Sequence, residues 1–387
     1  MAFTPQIKKL KVMIIGPLPP PDHGGIANWS RIVRKELDGR DDLELLFVNT
    51  TKLYRRIPGM QTLSRLIFGS YQAMRVIYTV LRSMRANHPD ILHLNSSGCY
   101  GTIRDIIILY LARILKIPTI IHYHMQQPPA EIIGYVYWKF LLWAMSLADF
   151  VVLLDKRSEA RVGAALPDIN VVRLPNMVEI DVIDELTRKL DLPPLAPGPV
   201  ARIVFSGFVT LVKGVRELVE ACTQLTDQNF ILDIVGTVTD TALKLKLETI
   251  ANRSSKSNWL CFHGGVDHAA VLEYMLAADL FVLPSHAESA PMVVIEAMGC
   301  GKPVVSTATG AIPEMLDIGG PQECGICVPP RNVAALAEAI RRLIRDPDLR
   351  RRFGCIARRR AEQFYSVPVG CKQLVDLWSF ASRKNNL

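Results

Sequence analysis

The feature that most constrains this chain is an alternation that runs through it twice. Short runs of aliphatic and β-branched residues recur, with longer stretches of helical periodicity between most of them. The first series is Val12–Ile15, Leu45–Val48, Ile91–Leu94, Thr119–His122, Phe150–Leu154 and Val171–Leu174. The second is Ala201–Ser206, Phe230–Val235, Leu260–His263, Leu280–Pro284, Pro303–Ser306 and Gly325–Val328. Ile203-Val204-Phe205 and Leu280-Phe281-Val282-Leu283 are apolar without alternation, as strands covered on both faces are. Strand and helix in repetition predict parallel sheets. Between the two series lies Leu192-Pro193-Pro194-Leu195-Ala196-Pro197-Gly198-Pro199. Four prolines in these eight residues remove too many N–H donors for a helix or a central strand, so 192–199 reads as a linker. The expectation is an α/β chain of two Rossmann-like parallel-sheet domains, 1–191 and 200–365, facing a central cleft.

Composition excludes several classes. With 387 residues, 49% of them hydrophobic and 21% charged, the chain has material for two packed cores and is not a disordered sequence. The N-terminal apolar run Val12-Met13-Ile14-Ile15 is too short for a signal-peptide core and has no small-residue cleavage site after it. Residues 106–121 are broken by Arg113, Lys116 and Pro118, and residues 135–154 by Lys139 and Asp149. Neither stretch offers the ~20 clean apolar residues of a membrane span. The 8 cysteines are scattered. Cys324-Gly325-Ile326-Cys327 has no second ligand pair at zinc spacing and leads into Val328-Pro329-Pro330 rather than a helix. These cysteines read as small buried hydrophobes. Lys and Arg number 45 against 37 Asp and Glu, a net charge of +8, which points to an anionic partner without naming it.

In such sheets ligands bind at the carboxyl ends of strands, and three loops there carry chemistry. After the first strand, Gly24-Gly25 precede the helical pattern Trp29, Ile32, Val33, Leu37. Bare amides at a helix N-terminus suit an anion; an ordinary glycine turn is the other reading, and the spacing is not G-x-G-x-x-G. After Ala201–Ser206 come Gly207 and Lys213-Gly214. A lysine there offers a compact point charge to a diphosphate, or is a solvated lysine at a helix start. The most specific stretch is Leu283-Pro284-Ser285-His286-Ala287-Glu288-Ser289-Ala290-Pro291-Met292-Val293-Val294-Ile295-Glu296. The strand ends at Pro284, Ser289 is expected to cap the next helix, and Pro291 to sit in its first turn. Glu288 then lies in the loop and Glu296 about two turns along the helix. Two carboxylates so spaced can hold hydroxyls of an extended ligand at two depths, while first-turn amides meet its negative charge.

Taken together, Gly24-Gly25-Ile26-Ala27, Pro175-Asn176-Met177-Val178, Gly207 with Lys213-Gly214, the Glu288-x7-Glu296 segment and Gly310-Ala311-Ile312-Pro313-Glu314 resemble family 4 retaining glycosyltransferases of the GT-B fold. The likeness extends over nearly the whole chain. It implies a nucleotide-diphosphate sugar bound mainly by the C-terminal domain, no metal or other cofactor, and retention at the anomeric carbon. It also implies that the last helix, within 366–387, crosses back onto the N-terminal, acceptor-side domain. By the same resemblance Glu296 looks like the ribose-binding glutamate and Glu288 like the glutamate near the donor sugar. Gly25 falls to the loop over the diphosphate and Lys213 to its clamp, and Gly24, Gly207, Ser289, Ala290, Pro291 and Met292 are expected to be donor-binding residues with them. His124, in Ile121-His122-Tyr123-His124, resembles the active-site histidine beside the donor sugar; His93 and His122 read as packed polar residues. No side chain is placed as a glycosyl nucleophile, and the resemblance favours front-face attack by the acceptor hydroxyl. Two positions depart from the family. Phe208 stands where an arginine usually follows the glycine, and Met177 replaces the glycine of Pro-Asn-Gly.

The charge is unevenly spread. Residues 1–191 hold 24 Lys and Arg against 18 Asp and Glu, which is +6 of the +8, and no acidic residue lies from Leu45 to Pro89. Arg55, Arg56, Arg65, Arg75, Arg82 and Arg85 fall in that gap. Leu63, Ile67, Met74, Ile77, Leu81 and Met84 recur there at helical spacing, with Arg75, Arg82 and Arg85 on another face. A basic amphipathic stretch suits an anionic membrane surface; the other reading is a domain helix with a solvated basic face. The resulting expectation is an enzyme of the hexosyl- or glycosyltransferase class, peripheral on the inner face of a bacterial cytoplasmic membrane. Its acceptor would be lipid-linked or a polysaccharide. The alternative is a non-catalytic sugar-nucleotide-binding protein of the same fold. Nucleic acid is not an expected partner, because no aromatic-basic module accompanies the charge.

Overall fold

The computed structural model describes residues 9–19, 24–51, 62–98, 101–124, 132–190, 200–254 and 256–383. The chain divides into two units, Met1–Pro175 with Val367–Leu387, and Asn176–Ser366. The linker read at 192–199 lies outside the described residues.

The first unit runs β1 (Leu10–Gly16), α1 (Gly25–Leu37), β2 (Leu43–Asn49), α2 (Thr62–Asn87), β3 (Ile91–Ser96), α3 (Gly101–Ile114), β4 (Thr119–Tyr123), α4 (Ile132–Met145), β5 (Phe150–Leu153), α5 (Lys156–Ala165) and β6 (Asn170–Arg173). Its six strands form one parallel sheet in the order β2-β1-β3-β4-β5-β6. One side of that sheet presents Met13, Ile15, Leu92, Leu94, Ile121 and Leu153 to α2, α3 and α4. These helices answer with Val76, Val80 and Met84, with Leu109 and Ala112, and with Leu141 and Met145, all buried. Burying each larger aliphatic side chain contributes roughly 1.5–3 kcal/mol against leaving it in water. On α2 the buried register is therefore Val76, Val80, Met84. Met74, expected on the apolar inner stripe, is 62% exposed.

The second unit runs α6 (Ile180–Leu190), β7 (Ala201–Ser206), α7 (Val215–Thr223), β8 (Phe230–Val235), α8 (Thr241–Ala251), β9 (Leu260–Gly264), α9 (His268–Ala277), β10 (Leu280–Leu283), α10 (Met292–Gly299), β11 (Val304–Thr307), α11 (Ile312–Met315), β12 (Gly325–Val328), α12 (Val333–Arg345) and α13 (Pro347–Arg360). Its parallel sheet has the order β12-β11-β10-β7-β8-β9. The final helix α14 (Val367–Arg383) belongs to the first unit and packs beside α1 and β3.

The division falls after Pro175, not at 191 as the proline run suggested. The reason is the packing of α6. Ile183 sits against Gly299 of α10, where a Cβ would come within 2.8 Å of its methyl, and Arg358 of α13 binds Asp184 at 2.7 Å. Val178 also bridges Ser366 in parallel fashion. A proline run marks where the chain cannot be regular; it does not mark which core a preceding helix joins.

Candidate functional site

In the second sheet the strand order reverses between β7 and β10, because β7 continues to β8 on one side while β10 lies on the other. The carboxyl ends of these two strands therefore open a crevice, the usual ligand position in such sheets. Gly207, with φ +146°, ends β7. A short 3-10 turn, Leu211–Lys213, follows and closes on Gly214 in the left-handed region at φ +69°. A Cβ at Gly214 would lie 1.9 Å from the carbonyl oxygen of Pro284, so glycine is required there both by backbone angle and by space. The N–H of His286 donates to the carbonyl of Val212 at 2.8 Å, which ties the two loops together.

This close approach brings Lys213 and Glu288 into contact. Lys213 Nζ donates to Glu288 Oε1 at 2.7 Å, with side chains 28% and 10% exposed. The sequence placed these residues on one ligand in separate roles; the structure pairs them with each other. The loop carrying Glu288 rests on Gly310, where a Cβ would come within 2.3 Å of the Glu288 carbonyl oxygen. Ser289 does not cap the following helix. The N-cap of α10 is Pro291, whose ψ of 122° is extended, and no side chain caps it. Ser289 instead offers its carbonyl to the N–H of Ala311 at 2.7 Å. Ala290 offers its carbonyl to the Asn176 amide at 2.7 Å. Proline at the cap position leaves the helix to start at Met292, so the amides of Met292 and Val293 lack intrahelical acceptors and carry the positive end of the helix dipole.

Glu296 lies on α10 and is 5% exposed. Its Oε1 accepts from His268 Nε2 at 3.0 Å. His286, inside the most specific stretch of sequence, donates from Nε2 to Glu217 Oε1 at 2.9 Å. His268 and His286 escaped the sequence reading, because each partner is distant in sequence. Met177 is buried and has no positive φ, so its turn does not need the family's glycine. Phe208 is 59% exposed and supplies no charge.

In the first unit, Gly24 is the extended N-cap of α1 and Gly25 its first residue. Trp29, one turn on, stacks on His93 with centroids 5.4 Å apart and meets His122 and His124 edge-on. The indole N–H of Trp378 donates to His93 Nδ1 at 3.1 Å. An indole nitrogen only donates, so the His93 proton sits on Nε2, which faces His122 Nδ1 at 3.3 Å. The His122 proton then occupies Nε2, a buried atom with no partner among the described residues. His124 Nε2 contacts Asn95 Oδ1 at 2.9 Å. Desolvation holds His93 and His124 down to about 3, and His122 well below the ordinary histidine value. His93 and His122, read as packed residues, thus form one neutral chain with the candidate His124 at its edge.

Arg82 and Arg85 are exposed on α2. Arg75 is half-buried, with its Nε enclosed, and does not share their open face. Arg55, Arg56 and the Arg65 side chain lie outside the described residues. A cavity of about 820 Å³ lies at the amino-terminal edge of the first sheet, lined by Asp90, Lys116, Asp149 and Asn170, away from the carboxyl edge that carries His124. Burial pushes the thiols of Cys324 and Cys327 up to about 12, which leaves them unreactive. Among the described residues no cluster of three or more His, Cys, Asp or Glu is arranged to hold a metal ion. No helix among them is long and apolar enough to cross a membrane.

The two parallel sheets have the GT-B architecture, and the switch point of the second carries a lysine, two glutamates and a helix N-terminus. Residues 193–360 match the family described as "Glycosyl transferases group 1", a match that lies within the second unit. An alpha-D-kanosaminyltransferase of Streptomyces kanamyceticus is 26% identical over 319 residues, 77% of this chain and 80% of that protein. A putative teichuronic acid biosynthesis glycosyltransferase, TuaC of Bacillus subtilis, is 24% identical over 87% of this chain and 82% of its own. A D-inositol 3-phosphate glycosyltransferase of Streptomyces bingchenggensis is 31% identical over 184 residues, where the match spans only 39% of that protein. Among solved structures, Anabaena HepE in complex with UDP superposes with a TM-score of 0.70 at 18% identity, covering 95% of this chain and 99% of that one.

Proposed function

We propose that this protein transfers a sugar from a nucleotide-diphosphate sugar to a hydroxyl of a lipid-linked or polysaccharide acceptor, with retention at the anomeric carbon. The observation that carries the reading is the Lys213–Glu288 pair at the switch point, with the N-terminus of α10 and the buried Glu296 beside it in sequence. Lys213 and the amides of Met292 and Val293 meet the diphosphate. Cleavage of the sugar–phosphate bond builds negative charge there, and fixed donors stabilise it. Glu296, held by His268, takes the ribose hydroxyls, and Glu288 takes the sugar. Gly24 and Gly25 present the α1 amides to the phosphates, and His124, held neutral, supplies a hydrogen bond to the sugar or acceptor. The acceptor hydroxyl attacks on the face the phosphate leaves, and the phosphate takes its proton. The reading uses no metal or other cofactor. The UDP complex of HepE supports the donor class and the teichuronic acid enzyme the acceptor class. The acid-free, basic sequence before β3 supports the further reading that it acts at the inner face of a bacterial cytoplasmic membrane.

The second reading, a sugar-nucleotide-binding protein without transfer, is favoured by one observation, the exposed Phe208 in place of a guanidinium. One experiment separates the two. Purified protein is incubated with a panel of sugar nucleotides and undecaprenyl- or glycan-linked acceptors, and the product's anomeric proton coupling is read by NMR. Transfer with the donor's own anomeric configuration is the expected result. Donor binding without any turnover would establish the second reading, and an inverted product would overturn the stereochemical claim.

A further inference from the structure

The helices α2, α3 and α4 form one layer, with their inner stripes on the first sheet. Their outer face is also apolar, which a solvated layer would not be. On α3, Ile103, Ile107, Tyr110 and Ile114 follow one another at i, i+4, i+7 and i+11, and the two end members are 62% and 75% exposed. On α2, Met74 and Tyr78 continue the face, with Tyr78 64% exposed. On α4, Val136 and Trp143 do the same two turns apart. Three successive neighbouring helices that each carry exposed apolar side chains away from the core present apolar surface of the kind that marks a binding face.

Charge decides what the patch binds. On α2, Arg82 and Arg85 extend the stripe of Tyr78 at i+4 and i+7, and both are exposed. Arg113, in the last turn of α3, is exposed too. The three helices contain one acidic residue, Asp105, and it is buried beneath Arg104 and Ser96. The open face is therefore apolar with a cationic end and no anion. A symmetric pairing with a second copy would set these cations against one another, which costs affinity. An anionic lipid surface answers both features, since isoleucine, tyrosine and tryptophan enter the interface while arginines meet phosphate headgroups.

We infer that the outer face of α2, α3 and α4 docks on an anionic lipid bilayer. It rests on the reading of a membrane-borne acceptor, and assigns that contact to specific side chains. The helices α3 and α4 are the helical parts of the two apolar stretches too interrupted to span, and they meet the bilayer surface by their outer face only, while β4 and β5 that follow them stay in the core.

The test is co-sedimentation of the full chain with vesicles of phosphatidylcholine alone and of phosphatidylcholine mixed with phosphatidylglycerol. Wild-type protein partitions onto the mixed vesicles and far less onto the neutral ones. The pair Ile107→Ser with Ile114→Ser lowers that partition by about tenfold or more. The pair Arg82→Gln with Arg85→Gln lowers it roughly 25-fold at low salt, about fivefold for each cation. Circular dichroism melting shows that both variants stay folded, as substitutions at exposed positions should. Unchanged partition of the isoleucine pair overturns the proposal, as does absence of vesicle binding by the wild type. A wild-type dimer in sedimentation velocity that the isoleucine pair dissociates would assign the face to a second copy instead. Sugar-nucleotide affinity is measured in the same samples. Its retention without vesicle binding sinks only this surface, and its absence with vesicle binding sinks only the donor reading.

Discussion

Lys213 Nζ lies 2.7 Å from Glu288 Oε1, although 75 residues separate the two in sequence. The charge we propose for a diphosphate is therefore held by the carboxylate we propose for the sugar. Removing that carboxylate charge releases the lysine. The variant Glu288→Gln is expected to bind a nucleoside diphosphate about tenfold more tightly than wild type, and to transfer sugar at least about a hundredfold more slowly. Lys213→Ala is expected to lose about a hundredfold in diphosphate affinity. Isothermal titration with the bare diphosphate reads both, and weaker binding by Glu288→Gln would show that the pair does not compete with ligand.

Phe208→Arg tests the departure from the family pattern. Phe208 is exposed beside Gly207, at the end of β7, so a guanidinium there meets no packing obstacle. A bidentate arginine on phosphate is worth on the order of 1.5–3 kcal/mol, so the affinity for a nucleoside diphosphate should rise by about tenfold or more. No gain would mean that the phosphates sit out of reach of that position.

Gly214→Ala places a methyl 1.9 Å from the carbonyl oxygen of Pro284 on a left-handed backbone. Backbone strain and loop displacement together should cost about 2–4 kcal/mol. Denaturant unfolding measures that loss. Because Gly214 seats the loop carrying Lys213 against Pro284 at the strand ends, displacing that loop moves the lysine away from the phosphates, and donor affinity should fall in the same variant even under conditions where it remains folded.

The histidine chain gives the first unit a pH dependence of known sign. Burial depresses His93 to about 3, whereas the unfolded chain titrates near 6.5. The unfolded state therefore binds more protons below that value. The stability from the neutral ring is fully present above pH 6.5 and is lost as pH falls toward 3. His122 shifts in the same direction for the same cause. The melting temperature of the first unit should drop by about 10 °C between pH 7 and pH 4. His93→Gln should flatten that slope; an unaltered slope would place the titration elsewhere.

The strands were legible because each carries a short run of aliphatic and β-branched residues, and β7, β8 and β12 begin and end where their runs do. Glu288, Glu296 and Lys213 stood out in the sequence as individual candidates because loop, helix and glycine spacing mark them. Their partners were not. His268 reaches Glu296, and Trp378 reaches His93 across 285 residues, through sheet order and helix return that periodicity does not encode. Ser289 read as a cap because serine favours that role, but the extended Pro291 claims the position. The outer stripe of α3 was hidden because a run such as Ile106-Ile107-Ile108-Leu109 points both inward and outward, and only packing shows which members face water.

The account turns on donor recognition by the second unit. The most direct measurement is calorimetric titration of wild type and Glu296→Ala with nucleoside diphosphates and their sugars. The account predicts saturable binding of at least one of them by wild type, and loss of about a hundredfold or more in Glu296→Ala without loss of fold. Equal binding by the two proteins, or none by wild type, would contradict it.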